Sequence, residues 1–220
     1  MIRCVIFDVD GTLVDSVDLH ARAWQETLEE FGHAVTFEQV RSQIGKGGDQ
    51  LLPVFLNPQE MEREEKRITG RRAAIFEKRY LPQVKGFPKV RELFQRLDGD
   101  GKRIALASSA AGSELKTYKE RARISDLVET ETSKDDASKS KPHPDIFAAA
   151  LKQLGHPSAN ETIVVGDTPY DIEAAARAGL PTIAVRCGGF PEETLRGAFA
   201  IYDSPSDLLA RYEESVLGAG

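Results

Sequence analysis

Two aspartates set two residues apart, Asp8 and Asp10, follow the apolar run Cys4-Val5-Ile6-Phe7 and lead into Gly11-Thr12. On an extended backbone, side chains at i and i+2 point the same way. Two carboxylates held together repel each other and raise a pKa unless something neutralises them. A divalent cation does so, and an all-oxygen ligand set suits Mg²⁺ best. Gly11 lets the chain turn sharply without a Cβ penalty. The string therefore reads as a carboxylate site at the carboxyl end of a strand, where open α/β sheets bind ligands.

Three further strings carry chemistry-bearing residues to strand ends. Ser108 and Ser109 follow Ile104-Ala105-Leu106-Ala107. A hydroxyl there can donate to phosphoryl oxygens, as can the adjacent backbone N–H groups, or Ser108 can serve as the N-cap of the next helix. Lys141 stands in Ser140-Lys141-Pro142-His143-Pro144, where two prolines stiffen the approach to a helix. Its ammonium could neutralise a nucleophile and a phosphoryl group, or be solvated in its loop like its neighbours Lys134 and Lys139. Asp167 ends the run Thr162-Ile163-Val164-Val165-Gly166, with Asp171 four residues later at a helix start. Asp167 could be a third cation ligand. Asp171 could support it from behind or cap the helix.

These strings need a scaffold that brings strand ends together. Short apolar runs at Ile2 to Phe7, Arg103 to Ala107, Thr162 to Val165, Pro181 to Val185 and Phe199 to Tyr202 alternate with helical patterns. The helical stretches run from Pro88 to Leu97, Gly112 to Arg121, Pro144 to Leu154, Tyr170 to Ala178 and Pro205 to Glu213. Such alternation predicts a doubly wound parallel sheet in a Rossmann-like α/β fold. Residues 16–82 break the rhythm with three helical patterns, about Val17 to Phe31, Thr36 to Gln43 and Pro58 to Tyr80. They read as a small all-helical insert, with 1–15 and 83–220 forming the core. Hinges are expected near Asp15-Ser16 and Leu81 to Gly86.

With 220 residues, 40% apolar and 29% charged, the chain has the balance of an ordinary globular protein. A net charge of −6 argues against a nucleic-acid partner. Two cysteines are too few for a disulfide framework, and no apolar run approaches the ~20 residues of a membrane span. A cytoplasmic chain without a signal peptide is expected.

The strings Asp8-Val9-Asp10-Gly11-Thr12, strand-Ser108, Lys141-Pro142 and Gly166-Asp167 through Asp171 resemble, in order and spacing, the four motifs of the haloacid dehalogenase-like phosphohydrolases. The helical insert resembles the cap of phosphoglycolate phosphatase-like and β-phosphoglucomutase-like members. The resemblance implies an Mg²⁺-dependent phosphatase acting on a small phosphorylated metabolite, as a monomer or homodimer. Asp8 would be the nucleophile that forms an aspartyl-phosphate, and Asp10 the general acid and base. Ser108 and Lys141 would hold the phosphoryl group. The metal would take the Asp8 carboxylate, the Asp10 main-chain carbonyl and Asp167, with Asp171 and Thr12 supporting. Ser109, Lys46 in the glycine-rich cap loop and His20 on the first cap helix would meet the substrate. Lys46 also reads as a solvated lysine in a linker, and Trp24 reads as packing. The competing reading is a sugar-phosphate mutase, disfavoured by a cap loop without arginine and a fourth motif without an adjacent Glu-Asp pair. A non-catalytic phosphate-binding module is the remaining alternative.

Overall fold

The computed structural model describes residues 1–218, so residues 219–220 of the expected core segment lie outside it. Eight strands occur among them: β1 (Cys4–Phe7), β2 (Val14–Asp15), β3 (Lys85–Gly86), β4 (Arg103–Ala107), β5 (Thr130–Thr132), β6 (Thr162–Gly166), β7 (Thr182–Val185) and β8 (Ala200–Tyr202). Six form one parallel sheet in the order β5-β4-β1-β6-β7-β8. The chain starts in the middle at β1, builds outward to β5, then returns to the other side of β1 with β6. That reversal places the topological switch point at the carboxyl end of β1, next to Asp8.

Both faces of the sheet are covered. Alternation along β1 sends Val5 and Phe7 into one apolar cluster and Cys4 and Ile6 into another. The first cluster is completed by helices α5 (Val90–Gly99), α6 (Gly112–Ala122) and α9 (Pro205–Ala210), with the Phe7 and Phe94 rings 4.7 Å apart. The second is completed by α7 (Asp145–Gln153) and α8 (Pro169–Arg177). Burial of all four β1 residues explains why this strand reads as a continuous apolar run.

Residues 17–80 are helical: α1 (Val17–Glu30), α2 (Phe37–Arg41), α3 (Gly48–Leu51) and α4 (Pro58–Ile75), the last continuing as a wider π turn through Tyr80. They surround a cluster of their own that includes Trp24, Leu28, Val40, Leu51 and Ile68. The chain enters and leaves this segment through β2 and β3, which pair antiparallel with Val14 opposite Gly86. Strands β2, β3 and β5 and helix α3 have no counterpart in the sequence expectation. Each is only two to four residues long, and β5 reads as polar Thr-Glu-Thr at a sheet edge. Among the described residues, no helix is long and apolar enough to cross a membrane.

Candidate active site

The parallel register brings the carboxyl ends of β1, β4 and β6 side by side, so Asp8, Ser108 and Asp167 meet at one edge. The Asp8 N–H donates to Val165 O at 2.8 Å, which ties the first aspartate to β6. Lys141 reaches in from the loop between β5 and α7, only 1% exposed. Its Nζ donates to Asp8 Oδ1 at 2.5 Å and lies 2.7 Å from Asp171 Oδ1. Thr12 donates from its hydroxyl toward Asp8 Oδ2 at 3.3 Å and Asp167 Oδ1 at 3.1 Å. Asp171 also caps α8, with Oδ2 accepting from the Thr168 N–H at 3.0 Å and the Thr168 hydroxyl at 2.6 Å. Both sequence readings of Asp171, cap and support, are present in one side chain.

Asp8, Asp167 and Asp171 offer carboxylate oxygens that all lie within 4.8 Å of one another, and all three residues are buried. Three carboxylates against one ammonium leave this dry cluster two charges short of neutrality. Burial, with Asp171 and Asp10 nearby, pushes the Asp8 carboxyl up to about 7 despite Lys141. Burial, Asp8 and Asp171 likewise push Asp167 up. Asp167 Oδ2 is buried with no hydrogen-bond partner among the described residues. Cβ atoms built at Gly11 and Gly188 would come within 2.3 and 1.7 Å of that oxygen, so glycine at both positions keeps its surroundings open. Gly11 also holds φ +78°, in the region that favours glycine. An orphaned oxygen in an all-carboxylate donor set fits a hard divalent cation such as Mg²⁺.

Asp10 sits in different surroundings. Its Oδ1 accepts from the Ser16 hydroxyl at 2.6 Å and lies 2.8 Å from His20 Nε2. The other ring nitrogen of His20 faces the Arg72 guanidinium, which can only donate. Nδ1 must therefore accept, which leaves the proton on Nε2 to be given to Asp10. The His20 ring stacks on Phe76 at 4.0 Å, and the Tyr118 hydroxyl lies 3.1 Å from Nε2. Burial pushes the Asp10 carboxyl up, but His20, Ser16 and Arg72 outweigh it and hold it at about 2. Two neighbouring aspartates thus have pKa values driven in opposite directions.

Ser108 is buried and does not cap a helix: α6 begins at Gly112 with Ala111 at its N-cap. Its Oγ instead accepts from the Ala110 N–H at 3.0 Å and lies 3.5 Å from Asp10 Oδ2. Above the aspartates is a cleft with Ser109 and Glu114 on the sheet side and Trp24, Lys46 and Arg72 on the helical side. Trp24 both packs in the helical cluster and lines this cleft. Lys46 Nζ donates to Gln43 Oε1 at 2.6 Å and rests 4.7 Å from the centre of the Tyr170 ring. His20 faces Asp10 more directly than it faces the cleft. Sequence reasoning missed Arg72 and Glu114. Arg72 lies within a mixed-charge helix, and only the fold brings it opposite α6.

The family described as haloacid dehalogenase-like hydrolase matches residues 5–185. A phosphoglycolate phosphatase of Yersinia pestis is 33% identical over 192 residues, covering 85% of this chain and 82% of the relative. A pyrophosphatase of Oceanobacillus iheyensis is 29% identical over 185 residues, covering 84% and 83%. The crystal structure of a hydrolase from Pseudomonas syringae superposes with a TM-score of 0.85 at 28% identity, covering 96% of this chain and 98% of that one.

Proposed function

The chain belongs to the haloacid dehalogenase-like hydrolases and is a phosphoric monoester hydrolase; from that premise we propose that it cleaves a small phosphorylated metabolite through an aspartyl-phosphate on Asp8, with Mg²⁺. The observation that carries this reading is geometric: Asp8 lies against the Lys141 ammonium with Asp167 and Asp171 oxygens within 4.8 Å, a setting for a metal-assisted nucleophile, while Asp10 two residues on is bonded by Ser16 and His20 beside the cleft. An Asp8 oxygen attacks phosphorus as the bond to the leaving oxygen breaks, and Asp10, in its protonated form, gives its proton to that oxygen. Water then attacks the phosphorus of the aspartyl-phosphate, with Asp10 removing its proton, and Asp8 is released with inorganic phosphate. Asp10 must carry a proton in the first half and be a carboxylate in the second; a carboxyl held low suits the second, and the first draws on the protonated form.

Lys141 orients Asp8 and offsets charge on the transferred group, and the Ser108 hydroxyl can donate to a phosphoryl oxygen. The cation, held by Asp8, Asp167 and the Asp10 main-chain carbonyl, would supply charge neutralisation, which phosphoryl transfer needs more than elaborate covalent chemistry. Thr12 and Asp171 hold these groups in place. Residues 16–82 act as a cap that shields the site from water, and Ser109, Lys46 and His20 belong to the substrate side. We assign the cytoplasm as its setting.

The test is phosphate release from a panel of phosphorylated metabolites with Mg²⁺, comparing wild type with Asp8→Asn. Release by wild type and a loss of at least about 10³-fold in the variant are expected for removal of a nucleophile. Isomerised ester without net phosphate release would point instead to a mutase.

A further inference from the structure

Opposite the aspartates, Arg72 on α4 and Glu114 in the first turn of α6 meet on one wall of the cleft, with Nη1 and Oε1 3.7 Å apart. Both side chains are nearly buried, at 15% and 9% exposed. The guanidinium lies over the rings of Trp24 and Phe76, 5.4 and 4.9 Å from their centres, which fixes its plane. One of its edges serves His20 and another serves Glu114. Its Nε is buried and has no acceptor among the described residues. The Glu114 carboxylate likewise receives no hydrogen bond among them; the ion pair at 3.7 Å is longer than one. Glu114 therefore lines the cleft as an acceptor that receives no hydrogen bond, with the Arg72 guanidinium beside it and its Nε shut away from solvent.

Charge decides what can lie between them. A single guanidinium faces both Glu114 and, across His20, Asp10, so this wall is not a cationic cradle. Lys46, the other cation of the cleft, is engaged with Gln43 and Tyr170 rather than with Glu114. A carboxylate or second phosphate placed here would meet the Glu114 charge in a partly dry cleft, where like-charge repulsion is poorly screened. A hydroxyl fits: it donates its hydrogen to the Glu114 carboxylate without adding charge.

We propose that Glu114, positioned beside Arg72, determines specificity by accepting from a hydroxyl on the leaving group, so that the preferred substrates are neutral polyol- or sugar-type phosphate monoesters rather than carboxylate-bearing esters or pyrophosphate. This rests on the phosphatase reading above. A site built to bond a hydroxyl rejects analogues that leave its polar groups unpaired.

The experiment compares glycerol 3-phosphate with 2-phosphoglycolate as substrates of wild type and Glu114→Gln. Wild type should favour glycerol 3-phosphate by at least about tenfold in kcat/KM. Glu114→Gln keeps the shape and removes the charge. It should narrow that ratio roughly tenfold, mainly through the KM for phosphoglycolate, with unchanged melting. Binding of both esters to Asp8→Asn, followed by calorimetry, ranks them without turnover. If neither ester releases phosphate, the hydrolase reading fails, while the binding ratio still judges the specificity claim. Tighter binding or faster turnover of phosphoglycolate by the Glu114-bearing protein overturns the proposal, as does a parallel change for both esters in Glu114→Gln.

Discussion

Asp8 and Asp10 share a strand end, yet the fold gives them different surroundings. Asp8 is set among Lys141, Asp167 and Asp171, while Asp10 is bonded by Ser16 and His20. The carboxyls of Asp8 and Asp167 are both pushed up by burial, so the metal-free fold holds protons that the unfolded chain releases near pH 3.8. The Asp8 contribution to stability is full below that value and is lost as pH rises through about 7, and that of Asp167 runs in the same direction. Asp10, held at about 2, contributes in the opposite sense, but its loss falls below this window. A bound cation needs deprotonated ligands, so it competes with those protons. At pH 8, Mg²⁺ at about a hundred times its Kd should raise Tm by roughly 5–10 °C. The rise should be much smaller at pH 5, and calorimetric melts at both pH values check this. An equal shift at the two values would contradict the carboxylate site.

Two serine or threonine residues at helix starts separate chemistry from scaffolding. Ser16 stands at the N-cap of α1 but makes no cap bond, because its hydroxyl goes to Asp10. Thr168 at the start of α8 forms a full capping box with Asp171. Thr168→Ala should therefore cost about 1–2 kcal/mol in a denaturant melt. Ser16→Ala should leave α1 no less capped, yet lower kcat about tenfold, the worth of one charged hydrogen bond. The reverse pattern would refute the division. Helices with a strong apolar stripe and strands buried on both faces were legible in the sequence, since Phe147, Leu151 and Leu154 or Cys4 to Phe7 carry their own periodicity. The pairing of β2 with β3 was not, because two residues such as Val14-Asp15 show no period. Strand β5 was hidden for another reason: Thr-Glu-Thr is held by a single neighbour, β4, and two of its residues are only half-buried.

At the scale of the molecule, the helical segment rests on the loops at the carboxyl edge of the sheet. Arg41 donates to Gly188 O at 2.9 Å and Gly189 O at 3.2 Å, beside the glycine that gives Asp167 its space. Asp49 accepts from the Ser140 N–H at 3.1 Å, and the Tyr170 hydroxyl donates to Ser42 O at 2.6 Å. These contacts are exposed or half-buried. Arg41→Ala should raise KM about threefold to tenfold with little change in Tm, because exposed ion pairs add only ~0–1 kcal/mol. A Tm drop without a KM effect would make Arg41 structural. The strand-end residues were legible because a parallel sheet lines up carboxyl ends from distant strings. Arg72 and Glu114 were not, because no local pattern tells which residues of α4 and α6 meet on one wall of a cleft.

The most direct test of the account is to trap the phosphoenzyme during turnover, reduce it with borohydride and locate the modified residue by mass spectrometry. Modification confined to the peptide bearing Asp8, and absent from Asp8→Asn, is the predicted result. Modification at another residue, or turnover by Asp8→Asn at the wild-type rate, would contradict it.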